Sequence, residues 1–262
     1  MSVLYLRISQ DSLCFAHYDA TDEANFKNIV HPLNHAVSLY VNLRNAIVQY
    51  ELLQQNYSRV EVIVVGKTVA VPLTEFNEED AIVTYDYCFA QDAPHRIFYD
   101  PLPGMDAVLL FALNETTCRA IEEMFHDVHY TSAMTAVVKH CVGKGLSTSN
   151  GNRRFAYCHE ENLDLICFDN DRLIMLSTYP LKNPDDAVYY ILSTASQLGQ
   201  EPTEGSFYVV GDEPMQSAIL QRLSRFAADV RQIRPSSEYN RSNVAQNAQV
   251  PYDMVTLLLD SM

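Results

Sequence analysis

The chain has 262 residues, of which 48% are hydrophobic and only 19% are charged. Its 33 acidic residues outnumber its 18 basic residues and give a formal net charge of -15. A chain this acidic repels nucleic acids and anionic membrane surfaces, because both recruit clustered lysine and arginine, so neither is expected as a partner. The apolar content is enough for one large domain or two ordinary ones.

The sequence predicts a cytoplasmic protein without direct insertion into a membrane. Its first residues, "MSVLYLRISQDS", have neither the basic segment nor the apolar run of a signal peptide. No stretch approaches the ~20 apolar residues that a membrane span requires. The six cysteines show no paired spacing and lie mostly in apolar segments, which favours buried free thiols in a reducing compartment.

In chain order, three strands, a helix and a fourth strand come first. The strands are predicted at "VLYLRIS", "SLCFAHY" and "FKNIVHPL". The segment "NHAVSLYVNLRNAIVQYELLQQN" then carries apolar residues at helical spacing, with Asn34 as the predicted N-cap. A buried strand, "VEVIVVG", ends this unit at Gly66.

An extra block of strands and helices follows the first unit. The segments "AIVTYDYCFA", "HRIFYDPL" and "DAVLLFAL" are predicted as strands. Two helices come next, "NETTCRAIEEMF" with Asn114 as its cap and "YTSAMTAVVKHCVGKG" ending near Gly143 or Gly145. The block is interpreted as a β/α insertion at about residues 77–145.

The second half repeats the order of the first unit. Strands are predicted at "FAYCHE", "LDLICFD" and "RLIMLSTYPL", and "NPDDAVYYILSTASQL" is a helix capped by Asn183 with Pro184 at its first position. The strand "SFYVVG" then ends at Gly211, as "VEVIVVG" ends at Gly66. A duplicated β-β-β-α-β unit explains this match, and it predicts an α/β protein with lobes at residues 1–150 and 151–262.

The chain closes with a predicted loop and a predicted helix. Residues 234–249, "RPSSEYNRSNVAQNAQ", are polar and rich in turn formers, which is typical of a long loop. The segment "YDMVTLLLDSM" is predicted as a short amphipathic helix.

A duplicated unit of this kind, with an insertion in its first half, resembles the actin-like ATPase superfamily and its ribonuclease H-like fold. The sequence also resembles an uncharacterised bacterial family, a domain of unknown function found mainly in Bacteroidetes. The segments "NPDDAVYYIL", "FYVVGDEPMQSAIL" and "PYDMVTLLLDSM" carry that narrower resemblance. It implies a fold and assigns no activity.

The resemblance implies that any nucleotide would lie between the lobes, held by two hairpin turns and by a strand-Gly-Gly-helix turn. The first hairpin turn, "RISQDSLCF", has Ser9 where the superfamily's aspartate stands, and the second is "YCHEENLDL"; neither contains the glycine that lets a backbone approach phosphates. The third turn keeps only one of two glycines. The candidate cleft residues are Ser9, Asp11, Glu160, Asp164, Gly211 and Asp212.

Carboxylates facing a triphosphate without a cradle of amides repel it, so the ATPase machinery is expected to be absent and no cofactor is expected. The preferred interpretation is a non-catalytic actin-like protein that acts as a binding or scaffold module for a protein partner. The alternative is a divergent ATPase or kinase that binds ATP and Mg²⁺ in the cleft, and a third possibility is another small molecule there. At Gly211, a tight turn before a helix started by Pro214 and capped by Asp212 or Glu213 is favoured over a ligand site.

Other combinations of reactive residues are weaker candidates. His126, His129, His140 and Cys141 match no standard zinc spacing, which favours surface or loop histidines. Asp185 and Asp186 are explained by the helix dipole and by capping. Cys14/His17 and His140/Cys141 are neighbours without a motif around them, while Cys158 and His159 point to opposite sides of a strand and cannot form a catalytic dyad.

One aromatic segment is a candidate surface for a partner. If "IFYDPLPG" is exposed, Phe98 and Tyr99 beside proline would form a protein-binding patch.

Overall fold

Two five-stranded sheets, one in each half of the chain, organise the fold. The computed structural model describes residues 2–19, 25–90, 93–142 and 152–260. In each sheet, the third strand in chain order lies at one edge, followed by the second, the first, the fourth and the fifth. The two orders match strand for strand, which is the duplication predicted from the sequence, extended by a fifth strand in each lobe. None of the helices in these described ranges has the length and hydropathy needed to cross a membrane.

The first lobe begins with three antiparallel strands, a helix and a parallel strand. These elements are β1 (Val3–Ile8), β2 (Ser12–His17), β3 (Lys27–Pro32), α1 (Leu39–Gln49) and β4 (Arg59–Val64). The predicted N-cap of α1 is wrong, because Ser38 caps the helix and Asn34 lies in the preceding turn. There the amide of Asn42 binds the Asn34 carbonyl, so Asn34 holds the turn rather than the helix.

A small antiparallel sheet and a helix interrupt the first lobe. The elements are β5 (Thr68–Pro72), α2 (Ala81–Cys88), β6 (His95–Leu102) and β7 (Ala107–Asn114), with strand order β5-β7-β6. The prediction of a strand at "AIVTYDYCFA" is wrong, because residues 81–88 form α2. Ala81 and Tyr85, four residues apart, place one helical face on the small sheet, and apolar residues on the other side of the helix obscure this spacing in the sequence.

The chain then returns to the first sheet through two helices and a strand. These are α3 (Glu115–Met124), β8 (Val128–Ser132) and α4 (Ala133–Val142), and Asn114 caps α3 as predicted. Because β8 pairs with β4, the insertion predicted at about residues 77–145 overlaps elements of the first sheet, and the small sheet itself takes residues 68–114. The predicted end of α4 near Gly143 or Gly145 lies outside the described residues.

The second lobe repeats the first without an insertion. Its elements are β9 (Asn152–His159), β10 (Asn162–Asp169), β11 (Arg172–Pro180), α5 (Pro184–Gln197), β12 (Ser206–Gly211), α6 (Met215–Leu223) and β13 (Val230–Gln232). Asn183 caps α5 as predicted and forms a capping box with Asp186. The predicted loop at residues 234–249 contains two single-turn helices, α7 (Pro235–Glu238) and α8 (Asn243–Gln246), before α9 (Tyr252–Asp260).

Two helices, α4 and α9, join the lobes through apolar cores. The apolar side of α4 packs in one core with β9, β10 and β12 of the second lobe. Helix α9 follows the second lobe in sequence, but Met254, Val255 and Leu258 pack in a core with the first sheet. The helix predicted as amphipathic is therefore buried on most of its surface, because sheet and α4 cover it on different sides.

A buried histidine attaches the end of α9. His140 of α4 is only 4% exposed, so the prediction of a surface or loop histidine is wrong at this position. Its Nδ1 lies 2.6 Å from Asp260 Oδ2 and its Nε2 lies 2.9 Å from Glu238 Oε2. Burial lowers the pKa of His140, but hydrogen bonds to Asp260 and Glu238 outweigh it and raise the pKa to about 9.

The His140 cluster makes stability depend on pH. Because the folded pKa lies above the ordinary value of 6.5, the stabilisation is complete below pH ~6.5 and is lost as the pH rises through about 9. We expect the wild-type free energy of unfolding, measured by urea denaturation, to fall across this window. A His140→Gln variant should be less stable at neutral pH and should show a shallower fall. Parallel pH curves for the two proteins would contradict this assignment.

The repeat-related glycines Gly211 and Gly66 should respond differently to substitution. Gly211 has a φ of +133°, and a Cβ atom there would lie 1.8 Å from the carbonyl oxygen of Cys158. No atom lies within 4 Å of a Cβ built at Gly66. We expect Gly211→Ala to lower the free energy of unfolding by at least about 3 kcal/mol and Gly66→Ala to change it by less than about 1 kcal/mol. Similar values from denaturant unfolding would show that the second turn tolerates a side chain.

Candidate functional site

A buried arginine connects the two lobes and the C-terminal helix. Arg7 of β1 is 1% exposed, and its Nε lies 2.8 Å from Asp253 Oδ1 while its Nη2 lies 2.9 Å from Asp253 Oδ2. Its Nη1 donates to Glu160 Oε1 in the second lobe at 2.7 Å. The guanidinium therefore binds one carboxylate of α9 and one from the turn between β9 and β10.

Strand alternation explains why Arg7 points between the lobes. Leu4 and Leu6 of β1 pack toward α1 and α3, so the next residue along the strand faces the opposite side. There Asp253 is fully buried and also accepts a hydrogen bond from the hydroxyl of Tyr157 at 3.3 Å. Burial disfavours the charged guanidinium, but Asp253 more than offsets this effect and the pKa of Arg7 is raised.

The turn between β9 and β10 reaches its shape without glycine. Glu160 and Glu161 have φ values of 45° and 60°, which is the left-handed region that glycine usually occupies. The side chain of Asn162 binds the Glu160 carbonyl at 2.9 Å, and the Glu160 amide points to Asp212 Oδ2 at 3.4 Å. The amide that would face a phosphate in an actin-like site thus faces a carboxylate of this chain.

The turn between β1 and β2 uses Ser9 to close itself. The Ser9 amide donates to the Ser12 carbonyl at 3.0 Å, and the two serine hydroxyls are 3.2 Å apart. Asp11 is 67% exposed at its side chain, with His35 Nε2 3.7 Å away. Ser9 therefore serves the hairpin, and Asp11 lies on the surface rather than between the lobes.

A second polar cluster lies beside Glu160. His159 Nε2 donates to Asp164 Oδ2 at 2.7 Å, and Thr178 donates to the other Asp164 oxygen. Burial lowers the pKa of His159, but the hydrogen bond to Asp164 outweighs it and the pKa is raised. The ring stacks on Tyr157 with centroids 4.3 Å apart, and its Nδ1 has no hydrogen-bond partner among the described residues. Asp164 is thus engaged with the chain's own histidine and threonine.

Two cavities adjoin the Arg7 pair, and Glu160 lines both. The larger cavity has a volume of about 750 Å³ and is also lined by Gly211 and Asp212. The smaller one, about 620 Å³, includes Asp164. Four of the six predicted cleft residues are therefore close to the interlobe space, while Ser9 and Asp11 line neither cavity.

The turn after β12 is built as a structural corner. The Asp212 amide binds the Cys158 carbonyl at 3.0 Å, and α6 begins at Met215 after Pro214. Neither Asp212 nor Glu213 is the N-cap residue of α6, but Glu213 accepts a hydrogen bond from the Ser217 hydroxyl at 2.7 Å. These contacts agree with the favoured interpretation of a tight turn before a helix, although the helix starts one residue later.

The remaining reactive residues do not assemble into a site. Across residues 2–19, 25–90, 93–142 and 152–260, no group of three or more His, Cys, Asp or Glu is arranged to hold a metal ion. The two carboxylates at His140 bind opposite ring nitrogens and cannot converge on one ion. Cys158 packs toward α5 and α6 on the sheet face opposite His159, which confirms that they form no dyad.

The cysteines are buried with one exception. Cys88 is exposed, while the other five are buried free thiols, as the sequence predicts for most of them. Burial raises the pKa of Cys14, Cys158 and Cys167 to about 12, so these thiols stay protonated at neutral pH.

Sequence reasoning missed the two residues at the centre of the site. Arg7 stands in the apolar strand "VLYLRIS", and Asp253 stands in the apolar helix "YDMVTLLLD". Arg7 is the only charge in its strand, and Asp253 shares its helix with only one other charge, Asp260. Burial requires such charges to find partners. Two unmatched charges of opposite sign were the available signal for this pair.

Breaking the Arg7–Asp253 pair should strongly destabilise the protein. Arg7→Met leaves Asp253 buried without its cation, and we expect a loss of about 3–5 kcal/mol in the free energy of unfolding. Combining Arg7→Met with Asp253→Leu should cost less than the sum of the two single changes, because no fully buried charge is left unpaired. Glu160→Gln is the matched control, since its side chain is 22% exposed, and should cost under about 1 kcal/mol. Additive losses in urea denaturation would mean that the pair is not coupled.

Comparison with solved structures supports the actin-like architecture. A Bacteroides thetaiotaomicron protein with an actin-like ATPase fold and unknown function superposes with a TM-score of 0.82 at 21% identity, covering 98% of this chain and 95% of that one. The PilM-PilN type IV pilus biogenesis complex matches with a TM-score of 0.58 at 12% identity, covering 99% of this chain and 97% of that one. These likenesses show the actin-like ATPase fold.

Sequence comparison assigns the family. None of the curated proteins is significantly similar to this chain. The family model described as "Protein of unknown function (DUF3822)" matches residues 2–230, which is most of the chain. The chain therefore belongs to the DUF3822 family.

Proposed function

We propose that this protein is a non-catalytic, cytoplasmic actin-like protein that binds a protein partner as a scaffold module. The observation that carries the proposal is the Arg7–Asp253–Glu160 cluster. It lies where the two hairpin turns approach each other, and a nucleotide's phosphates would need that position. The guanidinium of Arg7 could otherwise attract phosphate, but it is already hydrogen-bonded to the chain's own carboxylates.

The charges around the larger cavity also disfavour a nucleotide. Glu160, Asp212 and Glu213 line it together with Arg234, and the guanidinium of Arg7 is already hydrogen-bonded to two carboxylates. A triphosphate in this cavity would be repelled by three carboxylates and attracted by Arg234. Recruiting Arg7 to the phosphates as well would require its buried ion pair to break, which costs several kcal/mol.

The interface between the lobes supports a rigid module rather than a closing clamp. Helices α4 and α9 fill the space between the sheets with apolar side chains, and β11 of the second lobe lies against β5 of the insertion. Lobes move easily when their interface is small and polar, whereas a large apolar interface holds them in one arrangement. A fixed arrangement suits the display of a surface to a partner.

A structural relative offers a precedent for this kind of role. A chain of the PilM-PilN type IV pilus biogenesis complex matches this chain across nearly its full length. A protein of the same fold thus associates with another protein. The precedent concerns the type of activity, and it names no partner for this chain.

Nucleotide addition should leave the stability of the protein unchanged. We expect no shift in melting temperature with ATP or ADP, with or without Mg²⁺, because the phosphate position is filled. A ligand present at a hundred times its Kd would add about 2.7 kcal/mol to the free energy of unfolding. Differential scanning fluorimetry and calorimetry can detect that change.

The rival function, a divergent ATPase or kinase, gives the opposite result. It predicts Mg²⁺-dependent stabilisation by ATP that Asp212→Asn or Glu160→Gln reduces. Stabilisation that survives both changes would place the nucleotide outside the predicted cleft, and it would contradict the expectation that the protein binds no nucleotide. Magnesium chloride and inorganic phosphate, each added alone, serve as the controls.

A further inference from the structure

The outer face of α2 exposes large apolar side chains. On its inner side, Ala81 and Tyr85 pack against the small sheet, and Tyr85 is 3% exposed. On the opposite side, Ile82, Val83 and Tyr87 are 48%, 67% and 92% exposed. This helix therefore has apolar residues on both sides, although only one side has a partner within the described residues.

The exposed residues lie on one side of the helix. In an α-helix, residues four positions apart are neighbours on one face, so Val83 lies beside Tyr87 and Ile82 lies beside Asp86. Asp86 lies between them and is held by His95 Nε2 at 2.8 Å. We call Ile82, Val83, Asp86 and Tyr87 the α2 outer face. An apolar strip of this kind on a short helix is typical of a surface that binds another protein.

The surroundings of the α2 outer face are acidic. The sequence from residue 68 to residue 90 contains no Lys, Arg or His. It contains five exposed acidic residues, which are Glu75, Glu78, Glu79, Asp80 and Asp86. An apolar strip surrounded by one sign of charge selects a partner of the opposite sign, because like charges repel other ligands.

Helix α1 provides a contrast within the same chain. It also exposes apolar residues, with Val41 at 37% and Val48 at 73%. Residues 33–50 contain no Asp or Glu, so this face lacks the acidic surroundings of α2. Both helices expose apolar side chains, but only α2 has acidic residues around them.

The nature of the occupant follows from these features. Two α2 outer faces brought together would place their carboxylates against each other, so a symmetric dimer through α2 is disfavoured. Nucleic acid and anionic lipid are excluded for the same reason. A segment with apolar residues on one side could cover the exposed apolar side chains of α2. Lysine or arginine around those residues could pair with the acidic residues near α2.

We infer that the α2 outer face binds a basic amphipathic helical segment of a partner protein. The inference rests on the proposed scaffold function and names the partner's chemistry. The partner's apolar side covers Val83 and Tyr87, and its cations pair with the surrounding carboxylates. The candidate patch predicted at Phe98 and Tyr99 is exposed only in part. Phe98 stacks on Phe111 and Tyr130, whereas Tyr99 is 37% exposed and packs on Phe76.

The test uses the full chain and synthetic helical peptides as probes. The first probe is an amphipathic Leu/Lys peptide, the second has the same composition in scrambled order, and the third replaces lysine by glutamate. Isothermal titration should show binding of the first only. Amide chemical-shift changes on binding should concentrate in residues 78–88. Shifts spread over the whole acidic surface, or equal binding of the scrambled peptide, would overturn the inference.

Two variants separate the apolar and electrostatic contributions. Val83→Ser with Tyr87→Ser should lower the affinity for the first peptide by about tenfold or more. Val41→Ser with Val48→Ser on α1 should leave that affinity unchanged. Glu75→Lys with Glu79→Lys should weaken binding and reduce its dependence on salt. All of these residues are exposed, and unchanged melting temperatures would confirm folding. Peptide affinity that is the same in the α2 and α1 variants would overturn the inference.

Self-association is the remaining outcome with a distinct signature. Sedimentation equilibrium that shows a dimer abolished by Val83→Ser with Tyr87→Ser would identify a second copy as the occupant and overturn the basic partner. The nucleotide measurements are independent of all these readouts. A peptide that fails to bind, with no nucleotide shift, removes this docking site alone, whereas nucleotide stabilisation removes the scaffold function.

Discussion

The hydrogen-bonded pair between Arg7 and Asp253 is the constraint on which the rest of the structure depends. A buried guanidinium is tolerated only when carboxylates satisfy it, and here those carboxylates come from the last helix and from the second lobe. Three distant parts of the chain must therefore meet at one point. This requirement positions α9 between the lobes and fixes the turn between β9 and β10 against β1.

The same constraint determines the chemistry of the cleft. Glu160 lines both interlobe cavities, yet its carboxylate is bound to Arg7. Asp164, which an ATPase would direct toward a metal ion, is bound to His159 and Thr178 instead. Polar groups at the centre of the molecule are mostly used to hold the lobes together. The fold is retained while the groups that could handle phosphate have structural partners.

The insertion shows the reverse situation. The inner side of α2 packs against the small sheet, whereas Val83 and Tyr87 on the outer side are exposed to solvent near several carboxylates. The proposed interaction therefore uses the periphery, where apolar side chains are exposed, rather than the cleft between the lobes. This division agrees with the general separation of fold and function, in which a common scaffold carries its activity in local surfaces.

Local pattern was sufficient for much of the fold. The capping residues Asn114 and Asn183 and the repeated strand endings at Gly66 and Gly211 identified two copies of one unit and an insertion. These signals are local because capping, turn geometry and apolar periodicity each act over a few residues. The same reasoning failed at residues 81–88, where a short and mostly apolar segment, interrupted by Thr84 and Asp86, fits both a strand and a helix.

The sequence by itself determined the two-lobed plan, the acidic surface and the lack of glycine in both hairpin turns. Only the tertiary structure decided which charges meet, because Arg7 and Asp253 lie 246 positions apart and no local pattern couples them. It also decided that His140 is buried between two carboxylates and that α2 has an uncovered side. The periodicity of a sequence indicates which side of a helix or strand a residue faces. Which other residue it contacts depends on how whole helices and strands pack together.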